Sequence, residues 1–212
     1  MYCDIGKDVV CSRDTLKEGM CPVKWALDCV SAAHEADCGK SVTCRDGITQ
    51  LKTILTDLIA GHAETEDVEL ALELAKYIAS TPGCELAELT SKNVIWSIET
   101  YRSEWDNHRR KRCSTLECFY DVYVDPAKCT GCGQCPNICP AGAVAGGEGL
   151  ISVVDTARCT HCGKCFAACP AGAFTKAGLI KPALPEAPVP VGSFSGEAAG
   201  GRRRRRRGGD AE

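Results

Sequence analysis

Of the 212 residues, 17 are cysteine, and eight of these fall in two runs that repeat one spacing. Residues 129–140 read CTGCGQCPNICP and residues 159–170 read CTHCGKCFAACP, each of the form CxxCxxCxxxCP. Three closely spaced thiolates can wrap one face of an iron–sulfur cubane, and the fourth cysteine, followed by proline, reaches the other cluster of the pair. That crossed arrangement assigns Cys129, Cys132, Cys135 and Cys169 to one [4Fe-4S] centre and Cys159, Cys162, Cys165 and Cys139 to the second. Gly131, Gly133 and Gly163 let backbone N–H groups approach cluster sulfur with no Cβ in the way. Pro140 and Pro170 turn the chain at the loop exits. CxxC pairs also bind tetrahedral zinc, but zinc has no use for a third and fourth cysteine at this spacing ending in proline. A disulfide framework would suit an exported chain, and nothing here suggests export.

Over residues 120–176 the chain resembles a bacterial-type two-cluster ferredoxin domain. Aromatic residues make up 6% of the sequence, so the apolar core is small and ligation is expected to supply much of this part's folding stability. The stretch FYDVYV, with Phe119, Val122 and Val124 alternating, predicts the first strand, and GLISVVD predicts its companion.

The elements upstream read as helices. Pro22 opens PVKWALDCVSAAHEA, with Val23, Ala26, Leu27, Val30 and Ala33 at helical spacing. Cys38 and Cys44 lead into a helix with Ile48, Leu51, Ile54, Leu55, Leu58 and Ile59 on its apolar face, ending at Gly61. A further helix is expected from an N-cap at Thr65, burying Val68, Leu72, Ala75 and Ile78 and running to Pro82. Another begins near Ser91, with Val94, Ile98, Tyr101 and Trp105 on one face. Together these predict a compact bundle of three or four helices. Cys3, Cys11, Cys21 and Cys29, spaced by eight, ten and eight residues, match no metal motif and read as incidental thiols or small buried hydrophobes.

The order DCGKSVTCRDG, helical hairpin, TPGCELAEL and a helix ending YRSEWDNH resembles the C-terminal helical module of the NADH-oxidising flavoprotein subunit of complex I. The same module occurs in NAD-linked and electron-bifurcating iron hydrogenases. The resemblance implies a [4Fe-4S] cluster held by a motif SCGKCxxCREG and a distant fourth cysteine. By position Cys38, Cys44 and Cys84 match three ligands, and the fourth falls on Ser41. A serine hydroxyl is a hard, poorly acidic ligand beside a thiolate. Three outcomes stay open: three cysteines with Ser41 or an outside ligand on the fourth iron, a three-iron cluster, or no cluster. Cys29 is the first candidate for a replacement thiol.

Hydrogenase-type relatives also share the joint, which here reads HRRKRCSTLECFYDVYVDPAKC. His108, Cys113 and Cys118 form three-quarters of a zinc-type ligand set that could stiffen the linker. The other reading is a solvated histidine with two free thiols. From Lys181 the composition is rich in Pro, Gly and Ala, which predicts an extended disordered tail. The net charge of −3 includes the six arginines Arg202–Arg207, so the rest of the chain carries −9. With no recognition element beside them, the arginines read as a solvated tail or weak electrostatic tether, not a nucleic-acid site.

The predicted fold class is therefore α+β: an N-terminal segment over residues 1–20, a helical iron–sulfur module over 21–107, a linker over 108–119, a ferredoxin domain over 120–176 and a disordered tail over 177–212. No run approaches eighteen apolar residues and the first residues lack an apolar signal core, so a cytoplasmic location without a membrane span is expected. No GxGxxG-like loop follows a strand, and the twenty or so residues before the bundle are too few for a nucleotide-binding βαβ unit. The expected role is an iron–sulfur electron-transfer subunit of an oxidoreductase complex of NADH dehydrogenase or hydrogenase type, not catalytic alone. Its implied partner is a flavoprotein, NADH-binding or hydrogenase subunit, with ferredoxin a candidate acceptor. A stand-alone ferredoxin-like carrier and a regulatory iron–sulfur protein with a basic tail remain alternatives.

Overall fold

A computed structural model describes residues 10–195 except Pro82 and Leu179. Cys3 and the arginine run lie outside the described residues. The chain divides into two compact units, one within Met1–Asp121 plus Lys176–Leu179, the other within Val122–Thr175 plus Ile180–Glu212.

The first unit is helical. Pro22 at the first turn starts α1 (Pro22–Glu35). A π-helical turn, Thr43–Gly47, leads into α2 (Ile48–Ala60), which Gly61 ends in the left-handed conformation at φ 77°. Helices α3 (Asp67–Ser80), α4 (Glu85–Thr100) and α5 (Arg102–Arg109) complete the bundle. Its core gathers the expected stripes: Leu51, Leu55, Leu58, Val68, Ala75, Ile78, Val94, Ile98 and Trp105 are all buried.

Three local expectations are corrected. The N-cap of α3 is Glu66, not Thr65, and the Asp67 carboxylate reaches back to accept the Glu64 N–H at 2.7 Å. The last predicted helix begins six residues early and breaks at Tyr101, whose backbone leaves the helical region at φ −117°. That break sends the Tyr101 side chain outward, 37% exposed, and folds α5 back so that Trp105 Nε1 donates to the buried Ser97 hydroxyl at 3.2 Å. The segment before α1 is also packed: Asn93 Nδ2 donates to the Cys11 carbonyl at 2.7 Å, and the Arg13 guanidinium stacks 5.0 Å from the Trp96 ring.

The second unit is built on a pseudo-twofold. Strand β1 (Asp121–Val124) precedes the first cysteine run, which contains the short helix α6 (Cys135–Ile138) and is followed by β2 (Val144–Ala145). After β3 (Leu150–Ile151), strand β4 (Val153–Val154) precedes the second run, with its helix α7 (Lys164–Ala168), and β5 (Phe174–Ala177) follows it. The strand entering each run pairs with the strand leaving the other, β1 with β5 and β2 with β4. The companion of β1 is therefore β5, not GLISVVD, whose two halves pair elsewhere. Phe119 is likewise no strand residue; it packs on the helical core, its ring 5.5 Å from that of His108.

Part of the expected tail is ordered. Strand β6 (Val189–Pro190) pairs antiparallel with β3, Leu150 opposite Pro190 and Ile151 opposite Val189. The Val191 N–H extends the ladder by donating to the Gly149 carbonyl at 3.0 Å.

Candidate redox and metal centres

The two cysteine runs fold alike because their backbone bonds repeat at matching positions. Asp125 and Asp155 each accept an N–H two residues on through the side chain, from Ala127 and Ala157 at 3.0 Å. The backbone N–H groups of the same two aspartates donate across the sheets to the Ala173 and Ala143 carbonyls, at 2.8 and 2.7 Å. Each fourth cysteine then accepts an N–H at sulfur: Ala143 donates to Cys139 Sγ at 3.3 Å and Ala173 donates to Cys169 Sγ at 3.4 Å. The Ala143 N–H, joined by those of Ala141, Val144 and Gly142, holds the Cys139 thiol below its ordinary pKa, which readies it as a thiolate ligand. Burial pushes the Cys135 and Cys165 thiols up instead.

The crossed strands bring the far cysteine to the near run. A cavity is lined by Cys129, Cys132, Cys135 and Cys169, with Val124, Phe174 and Ser152 among its walls. That is the set the spacing assigned to the first [4Fe-4S] centre, enclosed by apolar groups and by backbone that can point N–H groups at sulfur.

The two halves differ in cover. A Cβ at Gly131 would stand 2.8 Å from Val191 Cγ2 and 2.9 Å from the Gly149 carbonyl carbon, because β6 and the β2–β3 turn lie over the first run. The matching position in the second run is His161, exposed at φ 53°. A Cβ at Gly133 would stand 3.0 Å from Glu148 N, whereas one at its counterpart Gly163 would have nothing within 4 Å.

A second centre lies in the helical unit. His108, in the last turn of α5, and Cys113 and Cys118, in the loop beyond it, converge with Cys21 at the N-cap of α1. The four ligand atoms all lie within 4.8 Å of one another. Cys118 Sγ is 3.7 Å from Cys21 Sγ, which is 3.3 Å from His108 Nε2. Around a single tetrahedral ion with metal–sulfur bonds near 2.3 Å, sulfurs stand about 3.8 Å apart. A cubane standing between its ligands would hold them further apart, so this set fits one ion.

The supporting contacts point the same way. His108 is fully buried, and its Nδ1 lies 2.8 Å from the Glu104 carbonyl, which fixes the tautomer that turns Nε2 to the thiols. Glu104 also accepts from the Ser114 N–H at 2.8 Å and from its hydroxyl at 2.6 Å, and Glu117 accepts the Cys21 N–H at 2.8 Å. Lys111 and Leu116, at φ 55° and 56°, give the loop its curl. Hydrogen bonds from Cys118 and Cys21 hold the Cys113 thiol far below its ordinary value. Burial opposes the charge on His108, but hydrogen bonds to Cys113 and Cys21 outweigh it and raise the imidazole to about 10. Sequence reasoning missed Cys21, which lies 87 residues before its histidine partner. The lone signal was its position directly before Pro22 at a helix start.

The third set is looser. Cys44, in the π turn, and Cys84, at the N-cap of α4, are both buried, and burial pushes the Cys44 thiol up. Cys38 is half-buried and precedes Cys44 in the same loop. The Ser41 hydroxyl lies 3.4 Å from the Cys44 N–H, which donates to it, and its carbonyl accepts from Arg45 at 2.9 Å. Cys29, the expected replacement thiol, lies buried in α1, where burial pushes its thiol up.

Comparison with known proteins agrees with this division. Residues 24–108 match the family described as the NADH-ubiquinone oxidoreductase-F iron-sulfur binding region, and residues 128–174 match the 4Fe-4S dicluster domain. The chain is 29% identical over 134 residues to the NADP-reducing hydrogenase subunit HndC of Solidesulfovibrio fructosivorans, a match covering 62% of this chain and 27% of that protein. It is 28% identical over 99 residues to the F 2 subunit of NADH-quinone oxidoreductase from Rhizobium meliloti, covering 46% of this chain and 24% of the relative. The F subunit of the Streptomyces coelicolor NADH-quinone oxidoreductase is 31% identical over 98 residues, covering 46% and 20%. The chain thus spans about a quarter of the length of these relatives.

Proposed function

We propose that this chain, in which an F-type iron–sulfur binding region is joined to a 4Fe-4S dicluster domain, relays single electrons as a subunit of an oxidoreductase complex of NADH dehydrogenase or hydrogenase type. The observation that carries the reading is the cavity walled by Cys129, Cys132, Cys135 and Cys169, drawn from two separate runs by the crossed strands. Clusters bound there supply one-electron transfer at potentials that extend to about −400 mV and below. The protein's part is to hold the sulfurs and tune them. The Ala143 and Ala173 N–H groups aimed at Cys139 and Cys169 stabilise negative charge on sulfur, and the burial of Val122, Val124 and Phe174 keeps water from that side.

Cys21, His108, Cys113 and Cys118 are assigned to a structural zinc ion. All four positions are taken by protein, which is the closed arrangement of a structural site and leaves no place for substrate. The ion would tie the start of α1 to the end of α5 and to the following loop. The partner in this reading is a flavoprotein that splits a hydride into single electrons, and the location is cytoplasmic. Among the described residues no helix is long and apolar enough to cross a membrane.

The test is electron uptake by the anaerobically purified chain. Its visible absorption should bleach with dithionite and stay unchanged with NADH, then bleach with NADH once a flavoprotein subunit is added. Bleaching by NADH alone, with no flavin present, would overturn the relay reading.

A further inference from the structure

The two cysteine runs match in fold but not in charge. In the second, each of the three clustered cysteines follows a basic residue: Arg158 before Cys159, His161 before Cys162 and Lys164 before Cys165. The matching positions of the first run hold Lys128, Gly131 and Gln134. Lys128 is paired with Asp125, whose Oδ2 lies 3.4 Å from its Nζ. A backbone bridge joins Cys132 to Glu148, which adds an exposed acidic residue beside the first run.

Arg158, His161 and Lys164 are all exposed. Among the described residues neither Arg158 nor Lys164 has an ion-pair partner. Arg158 Nη2 instead donates to the Ala141 carbonyl at 3.3 Å, which holds the guanidinium beside the loop of Cys139, the fourth ligand assigned to the second centre. Asp155, the acid that precedes this run, accepts the Ala157 N–H at 3.0 Å. Cys132 and Cys162 are both exposed, so the halves differ in what surrounds the sulfurs. Gly131 is buried beneath Val191 and Gly149, whereas a Cβ at Gly163 would meet open space.

We propose that the face around Cys162, bordered by Arg158, His161 and Lys164, is the electron port of the dicluster domain and docks an acidic one-electron carrier protein. A positive rim draws a negative partner in, speeds the encounter and fixes its orientation. Outside the arginine run the chain carries −9, so the same partner is repelled over most of the remaining surface. In the transfer one electron leaves the centre assigned to Cys159, Cys162, Cys165 and Cys139 and reduces one ferric ion of the carrier. No bond forms or breaks and no proton moves. The first centre, under β6 and Glu148, exchanges electrons with the second. The inference rests on the relay reading and adds to it the partner's charge and the place where it docks.

The experiment mixes the full chain, reduced anaerobically and freed of dithionite, with oxidised rubredoxin, a small acidic carrier with one iron, and follows rubredoxin bleaching by stopped flow. Transfer should be fast at low ionic strength and slow as salt is added. Arg158→Gln combined with Lys164→Gln should lower the rate about tenfold and flatten the salt dependence. Gln134→Lys combined with Lys164→Gln moves one charge to the first run at constant net charge, and this variant should also be slower than the parent. Binding of zinc-substituted rubredoxin, which accepts no electron, should weaken in step in calorimetric titrations. Electron paramagnetic resonance of both centres reports that each variant keeps its clusters. Unchanged rate and binding in the first variant, or parent-like behaviour of the second, overturns the docking face. So does a rate that falls only when Arg202–Arg207 are replaced by glutamine, since the tail would then be the docking element. A reduced parent that passes no electron to rubredoxin would overturn the relay reading as well, which separates the two failures.

Discussion

Cys21 shows what a single residue contributes here. Its thiol is fully buried at a helix start, 3.7 Å from Cys118 Sγ and 3.3 Å from His108 Nε2. Under the zinc assignment proposed above, removing it would leave three ligands and an opening in an otherwise closed site. Cys21→Ala should therefore lower zinc well below one per chain and destabilise the bundle by several kcal/mol, since metal binding energy is folding energy in such sites. Cys11→Ala, whose thiol stands outside the set, should leave zinc unchanged. Inductively coupled plasma mass spectrometry with thermal unfolding reads both, and equal zinc in Cys21→Ala and the parent would remove Cys21 from the site. Crossing in the dicluster domain is tested the same way. Cys169→Ala should disturb the centre of Cys129, Cys132 and Cys135, whose cavity it lines; selective disturbance of the Cys159, Cys162 and Cys165 centre would refute it. The gathering of Cys129, Cys132, Cys135 and Cys169 round one cavity was legible because the spacing repeats and local loops set it. Cys21 was not, because a ligand separated by 87 residues has no local signature.

At the scale of elements, the apolar periodicity located every long helix, since burial of one face follows from the 3.6-residue repeat. It could not place the break at Tyr101, where the periodic stripe runs on while the backbone turns. Nor could strand spacing choose β5 over GLISVVD as the partner of β1, because short alternating stretches look alike and only the closed pseudo-twofold decides. The strand β6 was hidden in a Pro-rich composition. Its effect is local and measurable. Gly131 has φ 67° and lies under Val191 and Gly149, while Gly163 has φ 74° and open space around it. Gly163→Ala should cost about 1 kcal/mol from backbone strain alone. Gly131→Ala adds a clash with backbone to that strain and should cost roughly 2–4 kcal/mol, with faster amide exchange at Val191. Equal losses in the two variants, measured by denaturant unfolding of the reconstituted protein, would mean that β6 does not cover the first run.

The whole molecule places cysteine sets of three different characters on one chain. One set clusters within a few ångströms and suits a single ion; two belong to runs related by a pseudo-twofold and suit cubanes; the set at Cys38, Cys44 and Cys84 joins two buried thiols to a half-buried one. The metals should separate accordingly. A chelator strong for zinc should loosen the helical unit, seen as loss of far-ultraviolet circular dichroism on mild heating, without bleaching the dicluster absorption. Simultaneous loss of both would contradict the assignment of separate metals to separate units. The division into helical and dicluster parts was readable from sequence because each has its own periodicity. The chemistry that the linker shares with the start of α1 was not, since it exists only once the bundle has closed.

The most direct test of the account is quantitative iron, sulfide and zinc analysis of the full chain purified without oxygen, paired with electron paramagnetic resonance after dithionite reduction. The account predicts one zinc and at least about eight irons with matching sulfide per chain, and a reduced spectrum showing two [4Fe-4S] centres close enough to interact. A chain that carries zinc at several equivalents, with iron and sulfide only in traces and no reduced signal, would contradict it.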